Sequence, residues 1–260
     1  VELRYWQDKG VNRKVLLIAN SYEQCRTIGD YLIGRDVTYR ILSNSDELKD
    51  DEINTAQIEE ISEMGNVEVL VAPLAIISRG YNIVDANGNS YFGSAFLLIR
   101  PYISPDDLTY NYRILNSVIA PLVKKYQKNG FTLNDTMDVV RKFAFTMLSE
   151  FNEKKFWKHL DDEQRAVLAW YTFIPVKQAV GRMQRNGCDS RVFYCDNSFV
   201  NTQNKELTSK VSMLKAWEDI LSEVTSDTGK MLYGQYLNGL SKAISDFEDM
   251  TINSEEEVLF

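Results

Sequence analysis

Histidine and cysteine are scarce in this chain, and two phosphate-handling motifs are missing altogether. Only His159 and three cysteines, Cys25, Cys188 and Cys195, occur in 260 residues. The cysteines lie apart with no C-x-x-C spacing, which argues against a zinc or iron–sulfur site and for a reducing compartment. No apolar run approaches the roughly 20 residues that span a bilayer. The opening residues Val1 to Arg4 do not read as a signal peptide. The expected setting is therefore cytoplasmic, with no membrane partner. Neither G-x-x-x-x-G-K-[ST] nor D-E-x-[HD] occurs, so the chain has no loop of its own to cradle β- and γ-phosphates and no acidic box for Mg²⁺. Internal repeats and low-complexity linkers are absent too.

What is present is a core-forming composition, 44% hydrophobic and 12% aromatic, with a formal net charge of -8. Acid is concentrated in 46–63 and 246–257, which read as solvated helix faces or tail. Lys124, Lys125, Lys128, Arg141, Lys142, Lys154, Lys155 and Lys158 make the middle third basic. A local patch of this kind can hold phosphates in spite of the overall sign.

The apolar run Lys14–Ala19 has the pattern of a strand buried on both faces of a parallel sheet. Ser21 and Gln24 have capping-box spacing and start a helix to about Leu32. Strands are expected over 37–42, 67–72, 95–100 and 191–195, with an amphipathic helix over 54–64 and another over 176–185. Gly80, Gly88 and Gly93 read as loop glycines between two of these strands. The alternation predicts an α/β, doubly wound sheet. Residues 107–171 read as a helical insertion, with Phe143, Phe145, Phe151, Phe156 and Trp157 in its core. From 203 to 247 two helices are expected, broken near 227–229, and the acidic end 254–257 is expected to fray. The resulting organisation is a domain over 1–200 and a helical extension over 201–260.

The stretch Gln178-Ala-Val-Gly181-Arg182-Met-Gln-Arg185 carries the chemistry. On a helix, Gln178, Arg182 and Arg185 project from one face. Two guanidiniums, each a planar fork of donors that keeps its proton, suit a polyphosphate, and glycine permits close approach. The plainer reading is a solvated helix face with ordinary arginines, whose replacement leaves folding intact.

This stretch resembles motif VI of superfamily 2 helicases. Ala72-Pro-Leu-Ala-Ile-Ile-Ser78-Arg79-Gly80-Tyr81-Asn82-Ile83 looks like motif V of that family, and 14–20 with the Ser21 helix start is similar to its motif IV region. The run Phe96 to Asp107 is similar to the segment after motif V in XPD/DinG-type members. Asn82 departs from the aspartate that many relatives carry. The resemblance, over roughly 14–196, implies a RecA-like second motor domain. Arg182 and Arg185 would then reach ATP and Mg²⁺ held mainly by a preceding RecA-like domain, in the same polypeptide or in a partner subunit. Gln178, Gly181, Gly80 and Asn82 would line the nucleotide side. Ser21, Arg79 and Tyr81 would meet the backbone of single-stranded DNA or RNA, although Ser21 also reads as a simple helix cap and Tyr81 as core.

Other residues invite plainer readings. His159 has no evident partner for metal or catalytic work, and Asp161-Asp162-Glu163 reads as a helix N-terminal charge cluster. Cys188 and Cys195 read as inert packing residues beside the last strand. Two other functions compete with the motor: a catalytically inert RecA-like assembly module, and a free-standing α/β enzyme that binds a phosphorylated small molecule.

Overall fold

The computed structural model describes residues 1–101, 108–153, 157–200 and 207–257. Its centre is strand β1 (Lys14–Ala19), flanked by β4 (Val69–Pro73) and β5 (Phe92–Leu97). Strands β2 (Tyr39–Leu42), β3 (Glu52–Ile53) and β6 (Arg191–Tyr194) complete a six-stranded sheet in the order β3-β2-β4-β1-β5-β6, with every pairing parallel. This is an α/β fold with a doubly wound parallel sheet. Two faces must therefore be buried, and the two-residue side-chain period divides them.

Leu16, Ile18, Leu70, Ala72, Ala95 and Leu97 face one core. Their partners come from α6 (Asp162–Met183), α7 (Met213–Ser222) and α8 (Asp227–Glu257), including Phe173, Val180, Trp217 and Leu240. Val15, Ala19, Val69 and Val71 face the opposite core, where Cys25 and Ile28 of α2 (Tyr22–Leu32) and Leu3 of α1 (Glu2–Asp8) cover them. The helices after residue 207 thus share the main core of the sheet.

Several element boundaries differ from the sequence expectations. The strand expected over 95–100 starts at Phe92, so Gly93 is a strand residue and not a loop glycine. A Cβ there would lie 2.4 Å from the Trp6 ring and 2.9 Å from the Arg13 Cβ, and close approach rather than a turn requires the glycine. The helix expected over 54–64 is a single 3-10 turn, Ile58–Glu60. Ile58, Ile61 and Met64 recur every three residues toward the core, and i→i+3 bonds such as Glu60 N–H to the Gln57 carbonyl match that period. The acidic span 46–63 is accordingly no helix face. It contains β3, where buried Glu52 pairs with Arg26 at 3.1 Å.

Helix α6 runs unbroken through 171, started by an Asp161–Gln164 capping box, so no boundary separates the expected insertion from the helix that follows it. The described part of 107–171 holds α4 (Leu108–Lys128), α5 (Leu133–Glu153), a 3-10 turn at Trp157–His159 and no strand. Leu115 and Ile119 of α4 meet Ala144 of α5 and Leu168 of α6. Ala144 belongs to that cluster and Val140, one turn earlier, is buried as well, so Phe143 and Phe145 fall off the inward face and are exposed, not core. Lys154, Lys155, Phe156, the segment 102–107 and residue 203 lie outside the described residues, as does the Phe151 side chain.

The break between the last two helices falls at 223–226. Gly229 lies inside α8, because the Ser226 hydroxyl accepts its N–H at 3.1 Å and caps the helix. Helix α8 continues to Glu257, through the end expected to fray. Among the described residues, no helix is long and apolar enough to cross a membrane.

Candidate functional site

Strand β4 ends at Pro73, whose fixed φ leads directly into the short helix α3 (Leu74–Ile77). The chain then turns through Ser78–Asn82 beside the last turns of α6. There Arg182 reaches across a sequence separation of more than 100 residues. Its Nε donates to the Ile77 carbonyl at 3.1 Å, Nη2 to Ser78 at 2.9 Å and Nη1 to Tyr81 at 2.8 Å. These bonds satisfy carbonyls that α3 and its exit would otherwise leave free. Burial is the main influence lowering the Arg182 pKa from its usual value, and the like charge of Arg185 adds to it. Glu59 and Tyr81 act in the opposite direction.

Arg185 is different. Helix α6 ends at Met183, and Arg185 opens a separate 3-10 turn in which Asn186 (φ 54) and Gly187 (φ 71) are left-handed. Among the described residues Arg185 donates once, through Nη2 to the Tyr81 carbonyl at 3.2 Å. The expectation of one continuous helical face over 178–185 is therefore corrected: Gln178 and Arg182 share the helix, while Arg185 is aimed by the turn. Arg182 is also partly buried, not a freely solvated arginine.

Together these segments line an open cleft of about 630 Å³ bounded by Ser78, Arg79, Gly80, Gln178, Gly181, Arg182 and Arg185. Among the described residues, three cations and no acid line it. Gln178 is exposed at its edge. Gly181 is small where α8 passes, since a Cβ would stand 3.4 Å from the Tyr236 hydroxyl. Such a surface offers forked donors to a polyanion.

The remaining sequence candidates lie around the cleft rather than in it. Asn82 is exposed, and its N–H is accepted by the Glu59 carboxylate. Ser21 caps α2, accepting the Gln24 N–H at 3.2 Å, and Gln24 in turn accepts the Asn20 N–H at 2.9 Å. Tyr22, the next residue, has its pKa raised chiefly by burial, with Tyr81 adding to the shift and Arg79 opposing it. Tyr22 and Tyr81 both pack against the main core. Tyr81 is half-buried and packs against the main core, while its carbonyl serves both arginines.

Sequence reasoning missed Ser78, Glu59 and Arg13. Ser78 follows α3, Glu59 sits in the 3-10 turn, and Arg13 is a cation directly before a buried strand. That last position is the one signal that draws attention to it. His159 is exposed, and among the described residues no three His, Cys, Asp or Glu side chains gather as a metal site. Asp161 caps α6 as the charge-cluster reading implied. Cys195 is exposed, not packed, because it directly follows the edge strand β6. No protein-family model matches the chain, and no curated protein matches it.

Proposed function

We propose that this chain is the second RecA-like motor domain of an ATP-dependent nucleic-acid helicase or translocase, related to superfamily 2. The observation that supports it is the meeting of 72–83 and 178–185 around one arginine-lined cleft. In this reading ATP and Mg²⁺ are held mainly by a first motor domain, and the cleft closes on the terminal phosphates. The two arginines divide the work. Arg182, with three of its five donors committed to carbonyls, is the strut that holds the 77–81 segment. Arg185, with one donor committed, supplies the guanidinium that meets charge developing on the transferred phosphoryl group. Arg79, Tyr81 and the Ser21 helix start face the nucleic-acid backbone.

The alternative, a catalytically inert RecA-like assembly module, draws on the three Arg182 bonds, which give that residue a structural role needing no turnover. The assembled motor, captured through a tag on this chain, separates the two. Its ATPase is measured with saturating single-stranded oligonucleotide. Arg185→Ala is expected to lower kcat on the order of 10³-fold, with the KM for ATP and the melting temperature nearly unchanged. Near-normal turnover in that variant would leave the assembly module as the better account.

A further inference from the structure

We propose that Arg13 is a positioning residue for Arg185, an inference that rests on the motor reading for its catalytic consequence but not for its structural one. Arg13 directly precedes β1 and is 7% exposed. All four acceptors bonded to its guanidinium are main-chain carbonyls. Nε donates to Ser90 at 3.3 Å, Nη2 to Met183 at 2.5 Å and also to Phe92, and Nη1 to Asp189. The Trp6 ring covers the guanidinium at 4.9 Å, and the Trp6 indole N–H is itself tied to the Ser94 hydroxyl at 2.8 Å. Gly93 makes room for this pair, as its missing Cβ would overlap both side chains.

Met183 and Asp189 are the two ends of the turn that carries Arg185. One guanidinium therefore closes that turn and anchors it to the start of β5. The α6 hydrogen-bond ladder has ended at Met183, and Asn186 and Gly187 adopt left-handed backbone, so helix geometry does not aim Arg185. The other ties run through single side chains. Asn186 Nδ2 donates to the Gly88 carbonyl at 2.6 Å from the exposed side. Gln184 Oε1 accepts from Gln235 Nε2 at 3.2 Å and from the Tyr236 hydroxyl at 3.3 Å, and Arg185 itself donates to Tyr81. Only a planar fork serves carbonyls on three chain segments at once. A lysine ammonium is a point charge with three donors and cannot span them. Arg13 does not line the arginine cleft. It acts by fixing the backbone from which Arg185 extends.

Hydrogen exchange on the chain itself tests the structural half. Arg13→Lys is expected to speed exchange of the hydrogen-bonded turn amides, Gln184 and Cys188, at least about tenfold while those of β4 hold their protection. Unchanged exchange in the turn, or an equal rise across the sheet, overturns the proposal. In the assembled motor, Arg13→Lys is expected to lower kcat on the order of 10²-fold, the size of a small misplacement, with little change in KM for ATP. That loss should disappear when Arg185 is already alanine, because a positioning effect has nothing left to position. A loss that persists in the Arg185→Ala background overturns it. Should Arg13→Lys fail to fold, Asn186→Gly, which removes the side-chain tie and keeps the left-handed backbone unstrained, decides: with Arg13 holding both ends, the turn stays protected and turnover stays near normal. Loss of both there assigns the turn to the Asn186 tie. If Arg185→Ala alone leaves turnover unchanged, the motor reading fails, while the exchange data still judge Arg13.

Discussion

Arg182 donates to the carbonyl oxygen of Tyr81 at 2.8 Å, and that oxygen also takes the single bond made by Arg185. The two arginines share an acceptor yet differ in their commitment to the fold. Arg182→Ala strands the Ile77 and Ser78 carbonyls in a partly buried site and takes one of two donors from Tyr81. It is expected to cost about 2–4 kcal/mol. That corresponds to a fall of roughly 5–10 °C in melting temperature. Arg185→Ala, losing one long bond, should stay within about 1 kcal/mol. Denaturant titration of the two variants checks the contrast, and equal losses would contradict it.

Trp217 of α7 is fully buried, and its indole N–H donates to the Thr172 hydroxyl of α6 at 2.9 Å, amid Phe173, Tyr194 and Phe199. Removing the ring opens a large cavity, so Trp217→Ala is expected to cost about 3–5 kcal/mol. Thr172→Val keeps the shape and orphans the indole donor, at about 1–3 kcal/mol. A chain ending at 200 loses α7 and α8 from the main core and should not give a cooperative unfolding transition. Circular dichroism melts of the three proteins decide the matter.

Burial pushes the Cys25 thiol up to about 12 and the Tyr91 hydroxyl up to about 12, from ordinary values of 9.0 and 10.0. The sign follows from proton counts. Above pH 9 the unfolded chain gives up the Cys25 proton while the folded chain keeps it, and the same holds for Tyr91 above pH 10. The folded state then binds more protons, so stability falls as pH rises from about 9 toward 12. Unfolding midpoints at pH 8, 9, 10 and 11 should decline from pH 9 onward. Cys25→Val should make the decline between pH 9 and 10 shallower without abolishing it, because burial also raises the Cys195 thiol from its ordinary value of 9.0. A flat profile to pH 11 in the parent chain would contradict the assignment. Ellman's reagent at pH 8 should likewise spare Cys25 in the folded chain and reach exposed Cys195.

Gly29 lets α2 settle onto β2. A Cβ at Gly29 would stand 2.0 Å from Ile41 Cδ1 and 2.9 Å from its Cγ1. Gly29→Ala is therefore expected to destabilise by about 1–3 kcal/mol despite its better helix propensity. In an Ile41→Ala background, which removes both carbons, the same change should cost nothing. A double-mutant cycle without coupling would show that α2 tolerates the methyl some other way.

Several features were readable from residue types alone. The apolar run Lys14–Ala19 announced a strand buried on both faces, and alternation with helical segments announced a parallel α/β sheet. Ser21 and Gln24 marked the α2 start because a cap needs a side-chain oxygen at one fixed offset. The pattern of Gln178, Gly181, Arg182 and Arg185 marked residues that the fold brings to one cleft. Other features had no such signature. Gly93 and Gly229 looked like breakers because a missing Cβ has the same letter whether it serves a turn or a close contact. Ile58, Ile61 and Met64 looked helical because a three-residue spacing fits an α-helix almost as well as a 3-10 turn.

The split between Arg182 and Arg185, and the clamp at Arg13, were decided by the tertiary structure. Their acceptors are main-chain carbonyls of Ile77, Ser78, Tyr81, Ser90, Phe92, Met183 and Asp189. Every residue carries a carbonyl, so no amino-acid type marks the ones an arginine will find. Which of them lie within reach depends on where β4, β5 and the end of α6 come together. Residue identity determined the sheet and the arginines, and chain packing determined what each arginine holds.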